Sequence, residues 1–333
     1  MITVEHLTKC YGNVKAVDDL SFEIGEGSVY GFLGPNGAGK STTMNIMTGC
    51  LSATSGKVEI DGCDIFENPK AAKKLLGYLP EQPPLYLSET PCEYLRFVGE
   101  AKGLRGEELT RQIAGVIEET RIGDVRNRAI NALSKGYRQR VGIAQALLGS
   151  PKTIILDEPT VGLDPLQIVE IRELIRSLGE NRTVLLSSHI LSEVQTMCSR
   201  ILIIAHGRLV AFDEPDALEA RLLAPSEITV TALTGAAHAE SLVAPLPGVA
   251  AVSVAEESSE RCTLTIMADA PNIYAVSRDI FLAFANHGAA LCELAVKKAN
   301  LEDIFLELTE DKKSAAGEAA DGYAAVEEGG SEE

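Results

Sequence analysis

Gly34 to Thr42 reads GPNGAGKST, placing Gly34, Gly39, Lys40 and Ser41 at the spacing G-x-x-x-x-G-K-[ST]. This spacing suits the cradling of phosphate. Gly34, Gly37 and Gly39, with Pro35, Asn36 and Ala38 between them, let successive backbone N–H groups turn inward. The helix that follows adds the partial positive charge of its N-terminus. Lys40 is placed to reach the β- and γ-phosphates of a nucleotide, Ser41 to ligate Mg²⁺ through its hydroxyl, and Thr42 to complete the cradle. Two adjacent carboxylates, Asp157 and Glu158, follow the apolar run Thr153 to Leu156. Asp157 can order waters around a hard cation. Glu158 falls near the point from which a water could attack a γ-phosphate in line. His189 ends a second apolar run, TVLLSS, where a lone histidine is more often a satisfied core residue than a switch. Ser134 can cap a helix whose N-terminus is a second anion site. Tyr11, in a turn, is either a half-buried turn residue or a platform for a nucleotide base.

These residues need elements to position them. SVYGFLG before the glycine loop reads as a buried strand, and STTMNIMTG after it as a helix ended by Gly49. Ahead of them, ITVEHL and AVDDLSFEI alternate apolar and polar residues, an antiparallel start with turns at Tyr11–Asn13 and Gly25–Gly27. SGKVEIDGCDI reads as a further hairpin turning at Gly62, and Leu76–Leu79 as a strand leading into a Pro-rich loop. Thr90-Pro91-Cys92-Glu93 has the residues of a capping box and starts a helix that should stop near Gly103. A second helix is expected over 107–119, within an all-helical insert running to about Arg128. Ser134 then opens a helix with Val141, Ile143, Ala144 and Leu147 on one face, and Asp164-Pro165 opens another with Ile168, Ile171, Ile175 and Leu178. RILIIA and RLVAF, around His206-Gly207, close the first domain, expected over residues 1–223.

The pattern changes beyond Glu227. Four strands (ITVTAL, GVAAVSVAEE, RCTLTIMA, LCELAV) and helices near 237–244 and 273–287 give the order β-α-β-β-α-β, a small α+β domain of split-βαβ type over 227–310. NLEDIFLELTE is expected to cap it as a helix, and the acidic stretch 311–333 to be disordered. At 333 residues and 45% apolar content the chain supports about two domains, on the usual ~100–200 residues each. Its net charge of −18 disfavours a nucleic-acid partner. Apolar runs fall short of the ~18–20 residues that cross a bilayer, and no secretory signal opens the sequence, so a cytoplasmic location is expected. The seven cysteines lack C-x-x-C spacing and read as reduced structural thiols.

The first ~220 residues resemble the nucleotide-binding domain of ABC transporter ATPases, whose motifs occur here in the family's order. GPNGAGKST is that family's phosphate loop, IILDE its Mg²⁺-associated Asp157 and catalytic Glu158, GLD its Gly162–Asp164 segment, and His189 its switch histidine. Tyr11 stands where the family stacks an aromatic on adenine. GYLPEQ places Glu81, followed by Gln82, at the metal-side position usually held by glutamine. The signature, usually LSGGQ, is LSKGY here: Lys135 and Tyr137 depart from it, while Ser134 and Gly136 remain for phosphate contact. The resemblance implies a P-loop α/β fold with a mixed-sheet core, an antiparallel β subdomain and a helical subdomain (about 85–150, including the signature). It also implies ATP and Mg²⁺ as ligands. With one phosphate loop per chain, Ser134 would serve the ATP of a second subunit in a dimer, most simply a homodimer. An integral membrane permease would hold the assembly at the inner face of the membrane. GYLPE and LSKGYRQR resemble exporter-type subunits for drugs, antibiotics and gliding motility, and the C-terminal strands resemble an accessory domain some of these carry.

The rival readings are ABC-type ATPases of DNA repair, chromosome maintenance or translation. The first two need a long coiled-coil or zinc insertion, which the stretch between Lys40 and Ser134 lacks. Translation-associated members carry two cassettes in one chain, and one is seen here. A P-loop GTPase or kinase would leave LSKGY and His189 unexplained.

Overall fold

The computed structural model describes residues 1–221, 226–258, 261–270 and 272–297. The chain divides into two compact units, Met1–Pro215 and Asp216–Glu333. Each has a hydrophobic core of its own.

In the first unit, β1 (Ile2–Tyr11) and β2 (Val14–Ile24) form an antiparallel hairpin in which Ile2 pairs Ile24 and Tyr11 pairs Val14. After β3 (Val29–Leu33) and α1 (Lys40–Met47), β4 (Ser55–Ile60) and β5 (Cys63–Asp64) turn through Asp61-Gly62. They complete an antiparallel sheet in the order β2-β1-β4-β5. Next come α2 (Pro69–Leu75) and β6 (Leu76–Leu79), the latter expected and the former not read from the sequence. The helical part has α3 (Pro91–Ala101) and α4 (Gly106–Glu119), then two short 3₁₀ turns before α5 (Lys135–Leu147). Then β7 (Thr153–Leu156), α6 (Pro165–Gly179), β8 (Thr183–Ser188), α7 (Leu191–Met197), β9 (Arg200–Ala205) and β10 (Arg208–Asp213) alternate strand and helix until the closing hairpin.

The second sheet runs β10-β9-β3-β8-β7-β6, with β10 antiparallel at one edge and the other five strands parallel. Every residue of β3, β7 and β8 is buried, which is why they read as mainly apolar runs rather than alternating ones. Because β8 lies between β3 and β7 and runs parallel to both, the loops after all three strands leave the same end of the sheet. The phosphate loop, Asp157-Glu158 and His189 are thereby gathered beyond the carboxyl ends of parallel strands, where open α/β sheets bind ligands.

The second unit opens with α8 (Pro215–Arg221). Then β11 (Ser226–Leu233), α9 (Ala236–Val243), β12 (Val249–Glu257), β13 (Cys262–Ala268), α10 (Ile273–Asn286) and β14 (Ala290–Lys297) follow the β-α-β-β-α-β order read from the sequence. The strands form one antiparallel sheet, β12-β13-β11-β14. In β13 every second residue is buried, and Leu264 and Ile266 join Val230, Ile280 and Phe284 in a core between sheet and helices. The expected capping helix and acidic tail lie outside the described residues.

Candidate functional site

The turn from β3 into α1 depends on glycine. Gly37 and Gly39 have φ of 82° and 101°, left-handed values that side chains resist, and a Cβ on Gly39 would collide with the Ala16 carbonyl. A Cβ on Gly34 would fall 2.6 Å from the Ile204 carbonyl oxygen. Lys40, only 6% exposed, folds back across the loop and donates to the carbonyls of Gly34 at 2.7 Å and Pro35 at 3.2 Å. Burial pulls the pKa of its ammonium down, and the carboxylates of Glu158 and Asp157 work against that pull. The loop thus combines a helix N-terminus with a buried ammonium, a donor set suited to phosphate oxygens.

The register of β7 on β8 sets the carboxylates. Leu156 pairs Leu186, so the next residues, Asp157 and Ser187, meet. The Ser187 hydroxyl donates to Asp157 Oδ1 at 2.6 Å and accepts from the Glu158 N–H at 2.8 Å. Burial raises the Asp157 pKa, Glu81 adds to the rise, and hydrogen bonds from Ser187 and Ser41 oppose it. Glu158 is 7% exposed and sits at φ 47°, a left-handed backbone that costs a non-glycine residue about 1–3 kcal/mol. Its Oε2 lies 3.0 Å from His189 Nδ1 and its Oε1 3.7 Å from Lys40 Nζ.

A cleft of about 430 Å³ opens over these groups. Pro35, Asn36, Gly37, Gly39, Lys40, Ser41, Thr42, Glu81, Glu158 and His189 line it, together with Ala16 and Val161. Gly34, Ala38 and Asp157 sit behind that lining, buried. Gln82 does not line the cleft, so of the two neighbours Glu81 is the one that faces it. The donors Ser41, Asp157 and Glu81 are all oxygens, the set a hard cation such as Mg²⁺ takes. No three His, Cys, Asp or Glu side chains form a metal cage among the described residues. The phosphates and water would therefore complete such a cation's shell, as Mg²⁺ prefers.

Three sequence-read residues stand outside the cleft. Tyr11 ends β1, 51% exposed, with Lys9 Nζ 5.3 Å from its ring centroid. Ser134 caps α5, its Oγ accepting from the Tyr137 N–H at 3.3 Å, and Gly136 is packed against Gln167. The two departures from the usual signature have partners in the fold. Tyr137 donates through its hydroxyl to Asp124 at 2.7 Å, and the Lys135 ammonium lies over Gly162.

Residues 17–161 match the ABC transporter family. An uncharacterised ABC transporter ATP-binding protein of Bacillus subtilis, YxlF, is 31% identical over 308 residues, 92% of this chain and 99% of the relative. The chain belongs to the ABC transporter ATP-binding proteins. A linearmycin resistance ATP-binding protein of the same species, LnrL, is 33% identical across 93% of this chain and 98% of its own length. Among solved structures, a dimeric ATP-binding cassette in a post-hydrolysis state with ADP and Pi is 28% identical. It covers 64% of this chain and 98% of the other, with a TM-score of 0.58. This ABC subunit is an ATPase of the P-loop α/β class, and its cleft is assembled from the family's loops. The sequence motifs did not reveal Ser187, or the buried pair Thr160 and Glu193 beyond it. The one available signal was two serines inside an otherwise apolar strand, at Ser187-Ser188.

Proposed function

We propose that two copies of this subunit hydrolyse ATP at shared interfaces and so drive export through a separate membrane permease. The observation that carries the reading is Glu158, held 3.0 Å from His189 Nδ1 and 3.7 Å from Lys40 Nζ inside the phosphate-loop cleft. In this reading the loop N–H groups and Lys40 grip the phosphates, with Lys40 exchanging its two carbonyl acceptors for phosphate oxygens. Ser41, Asp157 and Glu81 hold Mg²⁺, which when bound neutralises phosphate charge. Glu158 orients and polarises the attacking water, and His189 fixes the carboxylate and contacts the γ-phosphate. Tyr11 stacks on adenine. Ser134 and Gly136, standing outside their own chain's cleft, complete the site of the second copy. No helix among the described residues is long and apolar enough to cross a membrane, so the subunit would reach the cytoplasmic face of the membrane through its permease. The name of the linearmycin resistance relative supports export as the direction.

Phosphoryl transfer depends on positioning and charge stabilisation, so removing one charge should separate binding from turnover. Glu158→Gln should lower the hydrolysis rate by about 10²–10⁴, roughly 3–5 kcal/mol of barrier, while ATP affinity stays near the parent's. Scattering mass in ATP should then report a trapped dimer, and replacing Ser134 by Glu in that background should dissolve it. A Glu158→Gln protein that turns over at the parental rate would discard Glu158 from this role.

A further inference from the structure

Beyond Glu158 a further side-chain bridge joins the two segments that carry the reacting groups. The Thr160 hydroxyl donates to Glu193 Oε2 at 2.6 Å, and both residues are buried, at 5% and 3% exposure. Glu193 Oε1 lies 3.5 Å from the Arg172 guanidinium of α6. Thr160 follows Glu158 by two residues, and Glu193 lies on α7, four residues past His189. The bridge therefore closes a ring that runs from Glu158 through Thr160 and Glu193 to His189 and back across the 3.0 Å contact.

We propose that Thr160 and Glu193 form a positioning latch that fixes Glu158 against His189. The inference rests on the reading of Glu158 as the carboxylate facing the attacking water. A left-handed glutamate persists only where its surroundings over-determine it. On the N-terminal side Ser187 supplies that restraint through the Glu158 N–H. On the C-terminal side the turn bonds, Val161 N–H to the Glu158 carbonyl at 3.2 Å and Leu163 N–H to the Thr160 carbonyl at 3.2 Å, are local to the segment. The Thr160 hydroxyl ties that segment to α7, and hence to His189. A carboxylate withdrawn from water costs stability unless it is paired and hydrogen-bonded, so Glu193 holds its donors firmly. A latch of this kind acts on alignment and leaves the phosphate loop untouched. It belongs to turnover and not to binding.

The test uses the full chain with ATP and Mg²⁺, measuring kcat, KM and nucleotide affinity together with the melting midpoint. Thr160→Val keeps the shape and deletes the hydroxyl, and Thr160→Ser keeps the hydroxyl. The Val variant should lose about tenfold in kcat, the scale of a lost alignment, with KM and ATP affinity within about twofold. The Ser variant should recover most of the rate. Glu193→Gln combined with Thr160→Val should cost little more than the worse single change, since both break one link. A Val variant with parental kcat, a Ser variant as slow as the Val variant, or a loss confined to ATP affinity would overturn the latch. Glu158→Gln serves as the control. If it is inactive while Thr160→Val is unimpaired, the latch alone fails, and if it stays active the reading of Glu158 fails with it.

Discussion

Tyr11 has half its surface exposed at the end of β1, and its ring shares a face with the Lys9 ammonium. A tyrosine placed this way contributes little to the core, so its replacement should show in ligand binding more than in stability. Tyr11→Ala should weaken ATP binding about three- to tenfold, the range of one aromatic stacking contact, and Tyr11→Phe should stay within about twofold of the parent. Calorimetric or fluorescence titration of ATP decides it, and an unchanged affinity in the Ala variant rejects the stacking role. Other residues of the site differ in how far the sequence exposed them. Lys40, Ser41, Asp157, Glu158 and His189 were legible as one cluster, because they follow apolar strands at motif spacing. Ser187, Thr160 and Glu193 were not, because each acts through a partner 30 or 33 residues away, set by how β7 lies on β8 and how α7 packs. A serine in an apolar strand carries no local sign of the carboxylate it will meet.

Elements were legible where local chemistry fixes their ends. Thr90 is the clearest: its hydroxyl accepts from the Glu93 N–H at 3.3 Å, and Glu93 Oε2 accepts from the Thr90 N–H at 2.9 Å, the reciprocal pair read from Thr90-Pro91-Cys92-Glu93. The helices α2 and α7 were missed because each has seven residues, about two turns, too few for a 3.6-residue period to repeat visibly. The strand order, with β8 between β3 and β7, depends on pairing between distant segments and leaves no local trace. The cap itself gives a prediction. Thr90→Ala should lower the melting midpoint by about 2–4 °C at neutral pH, the usual effect of losing one N-cap. The backbone N–H of Thr90, and then its hydroxyl, hold the Glu93 carboxyl below its ordinary value of 4.5. A carboxylate with a lowered folded pKa contributes its stability in full above the unfolded value and loses it as pH falls through the folded one. The gap between parent and variant should therefore be constant from about pH 8 to 5.5 and narrow below about 4.5. A gap that widens in acid would mean that the reciprocal bond does not support the cap. α3 matters beyond its own ends. Lys102, just past it, donates to the carbonyls of Gln145, Ala146 and Leu148 and so ties it to the far end of the helix that Ser134 opens.

At the scale of the molecule, the two units divide the work unevenly. Every residue lining the cleft lies within Met1–Pro215, and among the described residues the core cluster of the second unit runs from Ile228 to Val296. The sheet of the second unit, β12-β13-β11-β14, is packed with its own pair of helices, and we expect it to fold without the nucleotide loops. Among the described residues it holds no group of three His, Cys, Asp or Glu that could hold a metal ion. The two Bacillus relatives match over more than 300 residues, further than the first unit extends, so they share most of the second unit as well. We expect this second unit to act in assembly or regulation. A chain ending at Arg221 keeps α8, including Leu218, which is buried to 1%. It should fold and bind Mg·ATP within about twofold of the full chain, since no contact in the cleft is removed. The effect of the second unit should appear instead in dimer mass in the Glu158→Gln background, where the shortened chain should trap less dimer at equal ATP. Circular dichroism establishes that the shortened chain is folded before its nucleotide affinity is measured. A folded chain without affinity for ATP would show that the second unit belongs to the site, and equal dimer mass in both chains would remove it from assembly.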